Sequence, residues 1–158
     1  MRINYSEEEN WPGQFELWQA NCWRSIYGKA GQYELRELET ALLAMPEKRL
    51  IRGALTDEKG GVCAIACYAK HKGVDLSTFD PDDESDEVGI AGGMPRLVAW
   101  KVVELNDILL NTVWEVAHGP IPPGYRVYKG GVRDMRPEER YEKVLGWVRA
   151  HLHESHGK

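Results

Sequence analysis

Apolar residues return at helical spacing in five stretches of the chain, and the breaks between them are marked by glycine, proline or runs of acid. Phe15, Trp18, Cys22 and Ile26 follow Asn10-Trp11-Pro12, a cap candidate with an early-turn proline, and predict a helix over about 12–27. Gly28 and Gly31 interrupt it. Leu35, Leu38, Leu42 and Met45 then recur at three- and four-residue steps up to Pro46, which predicts a second helix, antiparallel to the first across so short a break. Leu50-Ile51 to Leu55 forms a strand candidate with Asp57 to Gly61 as its turn, and a third helix over about 61–71 would bury Val62, Ile65, Ala66 and Ala69. From Gly73 to Gly93 the periodicity vanishes, and Asp75, Asp80, Asp82, Asp83, Glu84, Asp86 and Glu87 fill the segment without one Lys or Arg, which predicts a solvated loop. A fourth helix starts near Pro95, carries Val98, Val102 and Leu105, and ends around Asn106-Asp107.

Residues 108–117 fit a helix extension or a strand equally well, and Pro120, Pro122, Pro123 and Gly124 impose an irregular connection before a strand candidate at Tyr125 to Tyr128. The last helix opens at Pro137-Glu138-Glu139, with acids at the positive end of its dipole, and lines up Tyr141, Val144, Leu145, Val148 and Leu152. The expected fold is mainly α (α+β): a single helical domain of about five helices with a small β element, spanning 11–153 between a flexible start, 1–10, and a flexible tail, 154–158.

Length and composition fit that reading. A chain of 158 residues makes one domain, and 42% apolar with 28% charged residues is ordinary for a globular protein. No apolar run reaches the roughly 20 residues that span a bilayer, and Met1-Arg2-Ile3-Asn4 leads straight into Glu7-Glu8-Glu9, so neither a membrane contact nor a leader is expected and the cytoplasm is the expected location. Three cysteines are too few and odd in number for a disulfide framework, which predicts reduced thiols. A net charge of −5 and a pI near 5.6 argue against nucleic acid as the general partner.

The candidate chemistry is sparse. Cys63 and Cys67 are four apart, so a helix puts them on one face with Cys22 or His71 as conceivable further metal ligands, but small thiols among Val62, Ile65 and Ala66 read more simply as reduced, metal-free packing. The terminal His151, His153 and His156 read as a frayed helix end. Asp80 to Glu87 resembles an oxygen-rich calcium loop in composition, yet Ser85 and Ala91 stand where such a loop needs glycine and glutamate, so it reads as a solvated acidic surface for a basic partner, with Asp82, Asp83 and Glu84 at its centre. Gly60-Gly61 and Gly92-Gly93, each ahead of an expected helix, could offer backbone N–H groups to a phosphate, with Lys59 or Arg52 as counter-charge. Among six tryptophans, Trp18, Trp100 and Trp147 fall near apolar faces, whereas Trp11 and Trp23 lie off the inferred face of helix one and suit a partner anchor. The stretch 125–149 holds seven Lys or Arg against four acids, partly accounted for by helix-surface pairs. No nucleophile–base, metal or nucleotide motif occurs, so the expectation is no catalytic residue, no metal ligand and no cofactor.

Pro12-Gly13-Gln14-Phe15-Glu16-Leu17-Trp18, Gly31-Gln32 ahead of Leu35-Arg36-Glu37-Leu38, and Pro46-Glu47-Lys48-Arg49-Leu50-Ile51, together with Gly61-Val62-Cys63-Ala64, Glu104-Leu105-Asn106-Asp107 and Arg136-Pro137-Glu138-Glu139-Arg140-Tyr141 before Trp147-Val148, resemble an uncharacterised family of small phage and prophage accessory proteins. The chain departs from that pattern at Arg136, where the family usually has a Thr or Ser helix cap; Asp134 is the substitute candidate. The resemblance brings no established reaction. It implies a phage-encoded protein acting in the bacterial host cytoplasm by binding a host protein, with inhibition of host defence as one such role. The alternative reading is a small-ligand, nucleotide-binding protein using Lys59, Gly60 and Gly61 at a glycine-led helix start.

Overall fold

The computed structural model describes residues 12–107, 110–111, 132–133 and 135–153. Six α-helices stand among them: α1 Pro12–Tyr27, α2 Lys29–Ala44, α3 Ala64–His71, α4 Asp86–Ala91, α5 Arg96–Asn106 and α6 Pro137–His151, with a short 3-10 turn at Leu76–Thr78. The protein is mainly helical, and five of the helices are those its apolar spacing predicts. Trp11, Trp114, Tyr125 to Tyr128, Asp134 and the terminal His156 lie outside the described residues.

The break between α1 and α2 is a single residue, and its tightness is legible at Gly31. A Cβ there would sit 1.9 Å from the Ser25 carbonyl oxygen, so only glycine lets the first turn of α2 close against the end of α1. Gln32 then fastens three helices at once. Its Nε2 donates to the carbonyls of Ile26 and His151, both at 2.9 Å, and its Oε1 accepts from the His153 backbone N–H at 2.6 Å.

At the centre lies α3, whose residues from Ala64 to Ala69 are all buried because α2, α4 and α5 pack around it. Small side chains suit such a helix, since they let neighbours approach from every side. It begins at Ala64, three residues later than its apolar pattern suggests, and Cys63 is its N-cap, with Sγ accepting from the Ala66 N–H at 3.4 Å. Cys22, Cys63 and Cys67 are buried free thiols. Burial pushes the Cys63 thiol far up, and raises Cys67 to about 11, against the opposing pull of Lys70 and Lys48. Trp18 of α1 and Trp100 of α5 meet edge to face at 4.2 Å.

Two expectations need correction. Leu50 to Leu55 is no strand. Its amides are satisfied by three separate segments: Leu50 N–H donates to Pro137 O, Ile51 N–H to Val62 O and Leu55 N–H to Pro81 O, and one isolated bridge joins Thr56 to Val62. Leu50 and Leu55 are buried, so the apolar pattern marks core anchoring and not a ladder. Beyond this, Leu110–Asn111 pairs antiparallel with Val132–Arg133, two residues on each side and too short to count as the expected β element. The second correction is α4, which lies inside the expected acidic loop. Ser85 caps it through Oγ to the Glu87 N–H at 3.1 Å, Asp86 and Glu87 occupy its positive first turn, and Val88 is buried. Acids read as solvation were in part a helix start. At α6 the N-cap residue is Arg136, which makes no side-chain cap; Pro137 at the first turn needs no N–H partner.

Candidate binding sites

The Lys59-Gly60-Gly61 turn does not present its amides to a ligand. Asp57 Oδ1 accepts from the Lys59 N–H at 3.0 Å and from the Gly61 N–H at 2.6 Å, while the Gly60 N–H donates to the Asp57 carbonyl at 3.2 Å. Gly60 takes φ +81° to make this closure. A carboxylate of the chain itself thus fills the place a phosphate would take, and α3 starts three residues later. Its first amide is occupied as well, the Ala64 N–H donating to Asn106 Oδ1 at 2.9 Å. Gly92 and Gly93 end α4 instead of opening α5: the Gly93 N–H returns to Ile90 O and the Met94 N–H to Gly89 O, a Schellman stop. Arg52 Nε donates to the Asp107 carbonyl at 3.1 Å.

The side chain of Lys59 has a different setting. It lines a cavity of about 540 Å³ framed by the C-terminal end of α2, residues 45–49, the 59–62 turn and the C-terminal end of α3. Ala41, Ala44, Met45, Val62 and Cys67 make its apolar wall, and Arg49, Lys59, Lys70 and His71 its basic rim, against one carboxylate, Glu47. Arg49 is shared between Glu47 at 3.6 Å and Glu138 at 3.8 Å, and His71 Nε2 lies 2.9 Å from Glu37. Lys59 and Lys70 reach no carboxylate among the described residues.

At the opposite end of α2 the ends of α1 and α6 form a cluster of rings. Trp23 is 39% exposed and Tyr27 41%. Trp23 stacks on Tyr27 at 5.9 Å between centroids and on His151 at 5.3 Å, His151 stacks on Trp147 at 4.4 Å, and His153 tilts onto Tyr27 at 5.2 Å. From Leu17 to Tyr33 the sequence contains no acid, and exposed Arg24 and Lys29 reach no carboxylate among the described residues. Trp23 therefore stands where its off-face position suggested. The histidines near the end of α6 are ordered parts of this cluster and not a frayed tail.

The three acids expected to face a partner separate. Asp82 and Asp83 are exposed on a turn held by Asp80, whose Oδ1 accepts from the Asp82 N–H at 2.9 Å. Glu84 points inward and is only 9% exposed. Asn106 Nδ2 donates to its Oε1 at 3.3 Å, while buried Oε2 has no close donor among the described residues. Burial first, and then the neighbouring Asp107 charge, push the Glu84 carboxyl up to about 9. A proton answers the unmet oxygen, because the acid form can donate towards Asp107. Asn106 is the hub: it also donates to Ile51 O at 2.9 Å, and its own carbonyl accepts from Arg140 Nη1, an arginine 2% exposed. Neither Asn106 nor Arg140 carries a signal in sequence beyond being a polar residue within a helical pattern.

A second buried polar group joins α2, α3 and α4. Tyr68 donates to Glu34 Oε2 and approaches Gly92 O at 3.1 Å, with Lys72 Nζ 3.1 Å from Glu34. Burial and the Glu34 charge push the Tyr68 phenol well above its usual range. In the basic stretch, Arg136 pairs with Glu139 at 2.7 Å, Arg149 with Glu39 at 3.1 Å, and Arg140 is buried, so its described part is no free cationic face. Among the described residues no three His, Cys, Asp or Glu side chains gather as metal ligands, and no helix is long and apolar enough to cross a membrane. No protein family, curated protein or solved structure matches this chain.

Proposed function

We propose that this protein is a binding module that docks an acidic face of a partner protein on the ring cluster of Trp23 and Tyr27. The observation that carries this is the pairing of two part-exposed, pre-stacked aromatic rings with Arg24 and Lys29 in a stretch, 17–33, without acids. Trp, Tyr and Arg are the side chains that dominate protein interfaces, and rings already held by His151 and Trp147 lose little freedom on docking. On an acidic chain such a patch selects a partner of complementary charge. The resemblance to phage accessory proteins makes a bacterial host protein the partner to seek, and Asp82 and Asp83 a separate surface the docking does not need.

The test is affinity capture from bacterial lysate with the whole chain, its Trp23→Ala variant, and a Leu43→Ser control at an exposed position away from the rings. A specific partner should be retained by wild type and control, and its affinity should fall by about 30-fold or more for Trp23→Ala. Equal retention by all three would refute the patch, and turnover of a substrate by a site elsewhere would refute the binding-module reading itself.

A further inference from the structure

We infer that the cavity at the C-terminal ends of α2 and α3 is a binding site for a small amphiphilic anion, a carboxylate or phosphate ester carried on an aliphatic body. Its volume of about 540 Å³ is that of a small-molecule site. The wall from Ala41, Ala44, Met45, Val62 and Cys67 offers no hydrogen bond stronger than a thiol can make. That wall suits methylene groups, and among the described residues no Phe, Tyr, Trp, Asn or Gln lines the cavity, whose planar groups, Arg49 and His71, stand at its rim. The rim supplies the complementary charge. Lys59 and Lys70 are exposed and reach no carboxylate among the described residues, so they can swing onto an anionic head group without breaking an ion pair. Among the described residues Arg49 is held by two long contacts, at 3.6 and 3.8 Å, with exposed carboxylates. The head group therefore rests on side-chain ammonium groups at the rim and not on the Gly60-Gly61 amides, which Asp57 already occupies.

This site is separate from the ring cluster, which lies at the other end of α2, and the experiment can fail for one without failing for the other. Titration calorimetry on the full chain would use decanoate and decyl phosphate below their micelle concentrations, with decanol, inorganic phosphate and a ten-residue polyglutamate as comparisons. Both amphiphilic anions should bind at about 1 mM or tighter, at least about tenfold more tightly than decanol or phosphate, and more weakly as salt is raised. The ratio of decanoate to decyl phosphate reports which head group is preferred. Lys59→Ala with Lys70→Ala should lower the anions' affinity by about tenfold and leave decanol unchanged. Ala44→Trp, which fills the cavity from an exposed position, should abolish binding with the unfolding midpoint preserved, whereas Trp23→Ala should not alter it. Bound decanoate should also slow alkylation of Cys67, followed by peptide mapping. Equal affinity for decanoate and decanol, indifference to the double lysine variant, absence of binding at about 1 mM, or binding of polyglutamate alone would each overturn the inference.

Discussion

Replacing Glu84 by Gln should stabilise the protein at neutral and alkaline pH, an unusual result for a buried ionisable residue. In the folded chain its carboxyl is raised to about 9, from an ordinary 4.5, chiefly by burial. Between those values the native state holds a proton that the unfolded chain has released. Unfolding then liberates a proton, so stability is complete below about 4.5 and declines as pH climbs towards 9. Each unit costs about 1.4 kcal/mol, and the interval from 4.5 to 7 amounts to roughly 3 kcal/mol, a large part of the 5–15 kcal/mol typical of a domain. A glutamine amide copies the protonated acid. Its oxygen can accept from Asn106 Nδ2 as Oε1 does at 3.3 Å, and its NH₂ can donate towards Asp107. Urea unfolding of both proteins at pH 5, 7 and 8.5 checks this. The variant should be about level with wild type at pH 5 and ahead by about 4–5 kcal/mol at pH 8.5, with Tyr68 titrating alike in both. A stability difference independent of pH, or a variant weaker throughout, would refute a protonated Glu84.

Two further substitutions test the scaffold. Gly31→Ala should destabilise by about 3 kcal/mol or more, although alanine is the better helix former by about 1 kcal/mol, because its Cβ would meet the Ser25 carbonyl at 1.9 Å; the thermal midpoint reads it, and a stabilised variant would show that the α1–α2 junction is not this close. Arg140→Met should cost about 2–4 kcal/mol in urea unfolding by stranding the Asn106 carbonyl, and a cost no greater than that of an exposed arginine would show that the buried guanidinium is dispensable.

Apolar spacing revealed α1, α2, α5 and α6 because each buries one stripe and repeats it for three or more turns, as Leu35, Leu38 and Leu42 do. It found α3 but misplaced its start, since a helix buried all round has no polar face to mark a boundary. A helix as short as α4 offers one buried turn, and its capping acids are the same residue types that mark a solvated loop. Leu50 to Leu55 misled for a related reason. A short apolar run bounded by a glycine turn reads as a strand, while the partners of its amides, Pro137, Val62 and Pro81, lie in three separate segments and leave no local trace. The exposure of Trp23 was legible because it lay off a well-defined helix face. The cavity was legible only at Lys59-Gly60-Gly61, and there for the wrong atoms: backbone geometry drew attention to the turn, whereas its lysine side chain faces the cavity and Asp57 closes the backbone.

Glu84 shows most clearly why pattern and position part company. Seven acids between Gly73 and Gly93 predict a segment repelled from the core, and six of them can stay out of it while Asp80 holds a turn and Asp86 and Glu87 open α4. One cannot, because Pro81 O already receives the Leu55 amide at 2.8 Å and α4 must begin at Ser85 to lay Val88 into the core. Of the three residues between those attachments, Asp82 and Asp83 stay exposed on the turn, and Glu84, directly before the Ser85 cap, is the one carried inward. Asn106 then makes the position tolerable, with an amide that reaches Ala64, Ile51 and Glu84 together, and a bound proton removes the charge. The consequence for the surface is that Asp82 and Asp83 sit on a turn anchored at both ends. Their charges are therefore displayed at a fixed place, and loosening Glu84 by raising the pH should free that turn before it disturbs α1, α6 or the ring cluster they carry.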